Sequence, residues 1–181
     1  MTDNMRRRRL TSYNSTNTLT LMDMGRPTLG TLLRQLIEHL DSAVEASYAG
    51  DGLDYRPRYT PIVRALIAQG PATIRDLAHR TGVSHSAASQ TVAQMAKRDL
   101  VLLTPGADAR ERVVELGKTA EAMLPRLKRR WAATAAAAQS LDAEIGLPLS
   151  ELLERALDAL ARQSFADRIR HSEDLPMETE R

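Results

Sequence analysis

Small polar side chains recur on one face of a predicted helix, and their chemistry suits hydrogen bonding to an extended partner. They are Ser84, His85, Ser86, Ser89, Gln90, Gln94 and Lys97. Side chains that donate and accept hydrogen bonds from one helical face can contact base edges in the major groove of DNA. Gln90 is the best single candidate for a bidentate contact, most simply to adenine. The alternative for each residue is a solvated surface position, which is the usual role of an exposed Gln or Ser.

A second group of candidate residues lies near the tip of a predicted β-hairpin. Alternating and apolar positions predict two short strands, Val101–Thr104 and Arg112–Leu116. Between and beside them, Arg110 and Arg112 could lie along a minor groove or a phosphate backbone. Asp108 could hold Arg110 in place through a bidentate ion pair.

Several other kinds of chemistry find no support in the sequence. The chain has no cysteine, which excludes disulfides, thiolate ligands and cysteine nucleophiles. Its four histidines do not have the spacing of metal ligands, and no glycine-rich phosphate loop, carboxylate pair or nucleophile–base motif is evident. We therefore expect neither an enzyme nor a bound cofactor or metal. Aromatic residues are few, so the core must be aliphatic, which favours helices.

The polar helix needs a second helix to position it, and the sequence provides a helix-turn-helix. Gly82 stands where a tight turn requires a positive φ, Val83 is expected to fill the space between the helices, and Ser84 can cap the second helix. Ala78 is small enough for a close helix crossing. The remaining inward positions are Leu77, Ala88, Val92 and Met95.

Amphipathic helices flank this region on both sides. The pattern predicts a basic arm over 1–24, an N-terminal helix within 27–55, a winged lobe over 57–116, C-terminal helices over 117–167 and a loose acidic tail over 168–181. The flanking helices carry more apolar surface than one small lobe could cover, which is typical of an interface. The predicted fold class is mainly α, with a two-stranded β-wing and terminal helices that form a dimerisation lobe.

Charge is unevenly distributed, although the net charge is only +2. Residues 56–140 carry 14 basic and six acidic groups, whereas the segments 27–55 and 141–181 are acidic. This distribution favours one face that approaches a polyanion. Arg6–Arg9 could contact phosphates or belong to a solvated arm. Neither a secretory signal nor a membrane span is predicted, so we expect a cytoplasmic protein.

Residues from about 59 to 117 resemble the DNA-binding lobe of the MarR family of bacterial transcription regulators. The residues that carry the resemblance are Thr60-Pro61, Leu77-Ala78, Gly82-Val83-Ser84, Leu100-Val101 and the wing pattern Asp108-x-Arg110-x-x-x-Val114-x-Leu116. The long terminal helices resemble the family in their layout. Three positions depart from the family pattern: Asp99 replaces a glycine, Thr91 an apolar residue, and Gly117 a threonine that would cap the next helix.

The resemblance implies a homodimer whose two winged lobes reach successive major grooves of a pseudo-palindromic operator. It also implies a small-molecule effector, a lipophilic or phenolic acid bound in a cleft. His39, Tyr48, Tyr59 and Trp131 could line such a cleft, with core packing as their alternative role.

The sequence thus predicts a transcriptional regulator, interpreted as a repressor, that binds specific double-stranded DNA as a homodimer and needs no cofactor. The alternative is a winged-helix module that binds another protein and has no sequence-specific affinity for DNA. The arginines of the wing distinguish the two, since only DNA binding should depend on them.

Overall fold

The computed structural model describes residues 25–106 and 111–173, which form helices and one small β-sheet. The chain divides into two structural units, residues up to Ser42 and residues from Ala43 onward, and the first helix contributes to both. The elements in chain order are α1 (Leu29–Gly50), a 3-10 turn (Pro57–Tyr59), α2 (Thr60–Gln69), β1 (Ala72–Thr73), α3 (Ile74–Thr81), α4 (His85–Ala96), β2 (Val101–Pro105), β3 (Arg112–Leu116), α5 (Lys118–Ile145), α6 (Leu149–Arg162) and α7 (Phe165–Glu173).

In the first unit, α1 presents apolar side chains without burying them. The Thr28 hydroxyl caps the helix by accepting a hydrogen bond from the Thr31 amide at 3.2 Å. The large exposed side chains of this part are Leu29, Leu32, Ile37 and Leu40. The predicted basic arm, residues 1–24 with Arg6–Arg9, lies outside the described residues.

The core of the second unit joins the winged lobe to the end of α1 and the first half of α5. Its fully buried side chains include Leu77, Met95, Leu100, Val114 and Leu127. Three tyrosines add an aromatic cluster: the rings of Tyr48 and Tyr55, and those of Tyr55 and Tyr59, meet edge to face with centroids 5.1 and 5.6 Å apart. Such contacts stabilise by about 0.5–1.5 kcal/mol beyond the burial of their area.

The sheet has three antiparallel strands in the order β1-β3-β2. The predicted hairpin is present as β2 and β3, with Val101 opposite Leu116 and Pro105 opposite Arg112. The structure adds β1, because Ala72 and Thr73 pair with Val114 and Val113. The predicted fold class, a mainly helical winged helix-turn-helix, is confirmed. The predicted two-stranded sheet is corrected to a sheet of three strands.

The C-terminal helices differ from the prediction at their end. The chain is extended at Gln163, and the Ser164 hydroxyl then accepts a hydrogen bond from the Asp167 amide at 3.1 Å, which caps a new helix. As a result α7 continues to Glu173, so residues 168–173 are helical and not part of a loose tail. Residues 174–181 lie outside the described part.

The first half of α5 packs on the core of the second unit, whereas the rest of α5 and all of α6 bury little. Ala120 and Leu127 of α5 are buried and Trp131 packs on the core, whereas residues 132–140 are all exposed. α6 is strongly amphipathic, yet it has no buried residue. Within the described ranges, no helix combines the length and the apolar character that a membrane span requires.

Candidate nucleic-acid interface

The turn between α3 and α4 has the geometry that its residues predict. Gly82 has a φ of 68°, and its amide donates to the carbonyls of Ala78 and His79. Upstream, the Thr73 hydroxyl and the Asp76 carboxylate form a capping box that fixes the start of α3. Val83 does not fill the space between the helices as predicted, because its side chain is 43 % exposed. Its amide contributes instead, donating to the Ala78 carbonyl at 3.1 Å.

α4 separates its apolar and polar side chains cleanly. Ser84 caps it, accepting a hydrogen bond from the Ala87 amide at 3.2 Å, and Ala88, Val92 and Met95 are buried beneath it. The other predicted recognition residues are on the helix or at its ends: His85, Ser86, Gln90 and Lys97 are exposed, while Ser89 and Gln94 are half-buried. Their role in DNA binding stays a prediction, but the helix presents them from a rigid base.

One contact on this surface was not predicted. Arg58, in the 3-10 turn before α2, donates from its guanidinium to the Gln94 side-chain carbonyl. It also lies 5.7 Å from the centre of the Tyr59 ring. The two residues are 36 positions apart in the chain, so no periodic pattern could have linked them. Arg58 therefore extends the polar face of α4 with a guanidinium from another element.

Only part of the wing can be compared with its prediction. Arg112 begins β3 and is exposed, opposite Pro105. The Gly106 amide donates to the Glu111 carbonyl at 3.0 Å, which extends the pairing of the two strands by one residue. Asp108 and Arg110 lie outside the described residues, and their predicted pairing stays a prediction.

The segment between α1 and α2 is tied to several helices by charged side chains. Arg130 of α5 donates from both Nε and Nη2 to the Asp51 carboxylate, with the Nε contact at 2.5 Å. Arg126 donates to the Asp51 backbone carbonyl at 3.0 Å. The hydrogen bond from Arg130 lowers the pKa of Asp51, against the smaller effect of desolvation. The same segment forms two further ion pairs, Asp54 with Arg98 at 3.2 Å and Arg56 with Glu45.

Three of the four predicted cleft residues, Tyr48, Tyr59 and Trp131, have packing roles in the second unit. Tyr48 and Tyr59 are fully buried, and the Tyr48 hydroxyl accepts a hydrogen bond from the Trp131 indole at 3.2 Å. Burial strongly raises the pKa of the neighbouring Tyr55 phenol. His39 belongs to the first unit, where it is exposed. The ligand cleft stays a prediction. The contacts of the two buried tyrosines are those of core packing, which was their alternative role.

An open groove of about 500 Å³ lies instead between the exposed side of α2 and the end of α3. Its lining residues include Arg64 and Arg80, and the Arg64 guanidinium lies 6.0 Å from the Trp131 ring centre. The other lining residues are Thr60, Pro61, Ala65, Ala68, Gln69 and Thr81. Among the described residues, no cluster of histidine and carboxylate side chains could hold a metal ion.

The joints on either side of the hairpin depend on two unusual backbone positions. Asp99, after α4, adopts a φ of 54°, the left-handed conformation expected where the family pattern has glycine. Gly117 precedes α5 without a side-chain cap, and its amide donates to the Leu100 carbonyl at 2.9 Å. A Cβ at Gly117 would lie 2.3 Å from the Asp99 carbonyl oxygen, so a cap from a side chain here is incompatible with this close approach.

Comparison with known proteins agrees with this geometry. The sequence model of the MarR family matches residues 52–111, which include the helix-turn-helix and β2, the first strand of the hairpin. No curated protein sequence matches the chain.

Solved structures share the fold over a larger part of the chain. The M. tuberculosis transcriptional regulator MOSR, solved in complex with DNA, is 22% identical, with a TM-score of 0.62 over 78% of this chain and 99% of its own. A probable transcriptional regulator from Pseudomonas aeruginosa is 26% identical, with a TM-score of 0.53 over 74% and 96% of the two chains. The PcaV regulator from Streptomyces coelicolor, solved with its natural ligand, is 18% identical, with a TM-score of 0.55 over 78% and 99%.

The family match covers the segment in which α4 is capped, buried on one side and polar on the other, and the solved regulators share the arrangement of the helices around it. Through residues 52–111, this chain is similar to the MarR family.

Proposed function

We propose that this protein is a transcriptional regulator, a repressor, that binds specific double-stranded DNA as a homodimer. The observation that carries the proposal is the exposed polar face of α4, on a helix whose opposite side is locked into the core by Ala88, Val92 and Met95. A rigid helix with short donors and acceptors suits the major groove, where each base pair presents a distinct pattern of such groups.

In this proposal the first turns of α4 read the bases and the hairpin contacts the backbone or minor groove. His85, Ser86 and Gln90 lie nearest the N-terminal end, which is the part of a recognition helix that reaches base edges. Arg112, with Asp108 and Arg110, provides the contact of the wing.

The homodimer is supported by apolar surface that the second unit leaves uncovered. Leu152, Leu153, Leu157 and Leu160 of α6 are between 38% and 66% exposed, and α6 buries none of its residues. A row of exposed leucines along one helix is typical of an interface. Two lobes related by a two-fold axis would meet half-sites about 34 Å apart along DNA.

We further propose that a small anionic effector releases the DNA. The groove lined by Arg64 and Arg80 offers two guanidiniums to a carboxylate, beside apolar side chains suited to a ring. Regulators with a similar fold have been solved in complex with small molecules, among them NadR with 4-hydroxyphenylacetate. These support an aromatic acid as the class to test.

The test is selection of duplexes from a random library, followed by anisotropy titration of the selected and random duplexes. A preference of about 10³-fold or more for the selected duplex is expected. Gln90→Ala should relax the choice of base at one position per half-site, a loss of about 1–3 kcal/mol of discrimination. Gln139→Ala, an exposed glutamine on α5, is the matched control and should change nothing.

The same titration separates the alternatives. Equal affinity for both duplexes would contradict sequence-specific regulation, and the absence of DNA binding would favour the winged-helix module that binds a protein. Addition of an aromatic monocarboxylate to the preformed complex tests the effector; unchanged affinity across a panel of such acids would remove that part of the proposal.

A further inference from the structure

The contact between Arg58 and Gln94 changes what the second half of α4 can recognise. Gln94 lies in the last turn of a helix that runs from His85 to Ala96. Its side-chain carbonyl is already occupied by the Arg58 guanidinium. Bidentate reading of adenine requires that carbonyl as the acceptor for the adenine amino group, so the Arg58 contact, which engages one of its two lone pairs, competes with the usual base-reading mode of glutamine.

The groups that remain available on this pair are mainly hydrogen-bond donors, beside the second lone pair of the Gln94 carbonyl. The Gln94 amide nitrogen has two N–H groups, and a guanidinium has five and no acceptor. Phosphate oxygens are the matching partners, since they accept hydrogen bonds and carry negative charge. A position in the last turn of α4 points the same way, because residues that read bases come mainly from the N-terminal part of a recognition helix.

Arg58 differs from the nearby Arg98 in having no ion pair with a carboxylate among the described residues. Arg98, just after α4, is paired with the Asp54 carboxylate at 3.2 Å. Within the described ranges, no carboxylate forms an ion pair with Arg58, whose partners are the neutral Gln94 amide and the Tyr59 ring. Its full positive charge is therefore available to an anion on the exposed surface.

The backbone of Arg58 is held well enough to define a site. Pro57 begins the 3-10 turn, the Thr60 amide donates to the Pro57 carbonyl, and Tyr59 is fully buried. The guanidinium thus extends from a fixed point to a fixed helix. A pre-positioned side chain loses less conformational entropy when it binds.

We propose that Arg58 and Gln94 form a phosphate clamp that sets the register of α4 on the DNA backbone, and that Gln94 does not read a base. The proposal rests on the proposed DNA-binding function and deepens it by assigning Arg58, which lies outside the helix-turn-helix. Gln90 and the first turn of α4 keep the base-reading role.

The experiment compares the wild type, Arg58→Ala, Arg58→Lys, Gln94→Ala and the double variant Arg58→Ala/Gln94→Ala, each titrated with selected and random duplexes at several salt concentrations. Arg58→Ala should weaken both duplexes by a similar factor, about tenfold, and reduce the magnitude of the salt slope by about 1. Gln94→Ala should also weaken binding to both duplexes by a similar factor. In the double variant it should add little to the loss of affinity caused by Arg58→Ala alone. Arg58→Lys keeps the charge and should retain the salt slope. Arg162→Ala, which removes an exposed arginine at the end of α6, controls for the loss of one positive charge.

A second readout locates the phosphate itself. Duplexes with one phosphate replaced by a neutral methylphosphonate should show one position per half-site where the wild type loses affinity and Arg58→Ala loses no more. If Gln94→Ala instead relaxes the choice at a single base pair, or if Arg58→Ala binds like the wild type, the clamp is overturned while DNA binding stands. If the wild type binds no duplex, the proposed function fails and the clamp fails with it.

Discussion

Gly117 is the residue at which the winged lobe has no room for a side chain. It stands between β3 and α5, where a Cβ would meet the Asp99 carbonyl oxygen at 2.3 Å. The Asp99 carbonyl belongs to the backbone, so it cannot move aside as the end of a flexible side chain could. Its neighbour Asp99 already has a left-handed φ, which limits its freedom to adjust.

We expect Gly117→Ala to destabilise the protein by about 2 kcal/mol, because one added methyl group must displace backbone at both ends of the hairpin. Urea unfolding followed by circular dichroism measures the change. Gly50→Ala is the matched control, since nothing lies within 4 Å of its Cβ position, and it should be neutral or stabilising. Equal stability of the two variants would show that the backbone around Gly117 and Asp99 can relax to accept a methyl group.

At the scale of elements, the segment between α1 and α2 acts as a junction, and Asp51 is its most strongly held residue. Its carboxylate accepts two hydrogen bonds from Arg130, which lowers its pKa in the folded protein. A carboxyl group with a lowered folded pKa stabilises the fold at pH values above its ordinary pKa of 3.8. That contribution is lost as the pH falls through the folded value.

We therefore expect Asp51→Asn to be less stable than the wild type at pH 7, with a difference that narrows below pH 4 or so. Thermal unfolding recorded from neutral to acidic pH measures this. Arg130→Gln should give the same narrowing, and the double variant should add little to either, because both changes remove one ion pair. A constant difference across the pH range would show that Asp51 acts through packing alone.

The helix-turn-helix could be predicted from the sequence because its signals are local. Gly82 and Ser84 report a turn and a cap within a few residues of where they act, and both functions are confirmed. β1 could not be predicted in this way, because its two residues are defined by pairing with Val113 and Val114, about 40 positions away in the chain.

The candidate interface follows the same division. The polar face of α4 follows from helical spacing, and its seven predicted residues lie on that helix or at its ends. Arg58 was missed because the 3-10 turn that carries it reaches α4 only through tertiary packing. Val83 was misplaced for a related reason: an apolar residue next to a turn glycine need not be buried when its backbone amide closes the turn.

At the scale of the whole molecule, the exposed leucines of α6 support the proposed homodimer. We expect Leu157→Glu to shift the protein toward monomers, because the side chain is 66% exposed in one chain and would carry charge into an apolar interface. The dimer dissociation constant should rise at least tenfold, as burial of one leucine contributes about 1.5–3 kcal/mol. Light scattering over a dilution series measures the effect.

Glu154→Gln, on the polar side of α6, is the control and should leave the mass unchanged. A wild-type mass equal to one chain at every concentration would contradict the homodimer itself. Weaker DNA binding by Leu157→Glu, with unfolding of the winged lobe unchanged, would connect dimerisation to recognition of two half-sites.

The exposed stretch of α5 from residue 132 to 140 also determines the direction in which the following helix, α6, faces. It contacts little of the core and includes the run Ala132-Ala133-Thr134-Ala135-Ala136-Ala137-Ala138, so its helical form comes mainly from intrinsic propensity. Each residue of such a helix adds about 100° of rotation and 1.5 Å of rise. One inserted residue would therefore turn the apolar row of α6 away from its original direction, whereas seven, close to two full turns, would nearly restore it. In the proposed homodimer, the length of the alanine run would thus set the direction of the apolar row of α6 relative to the winged lobe.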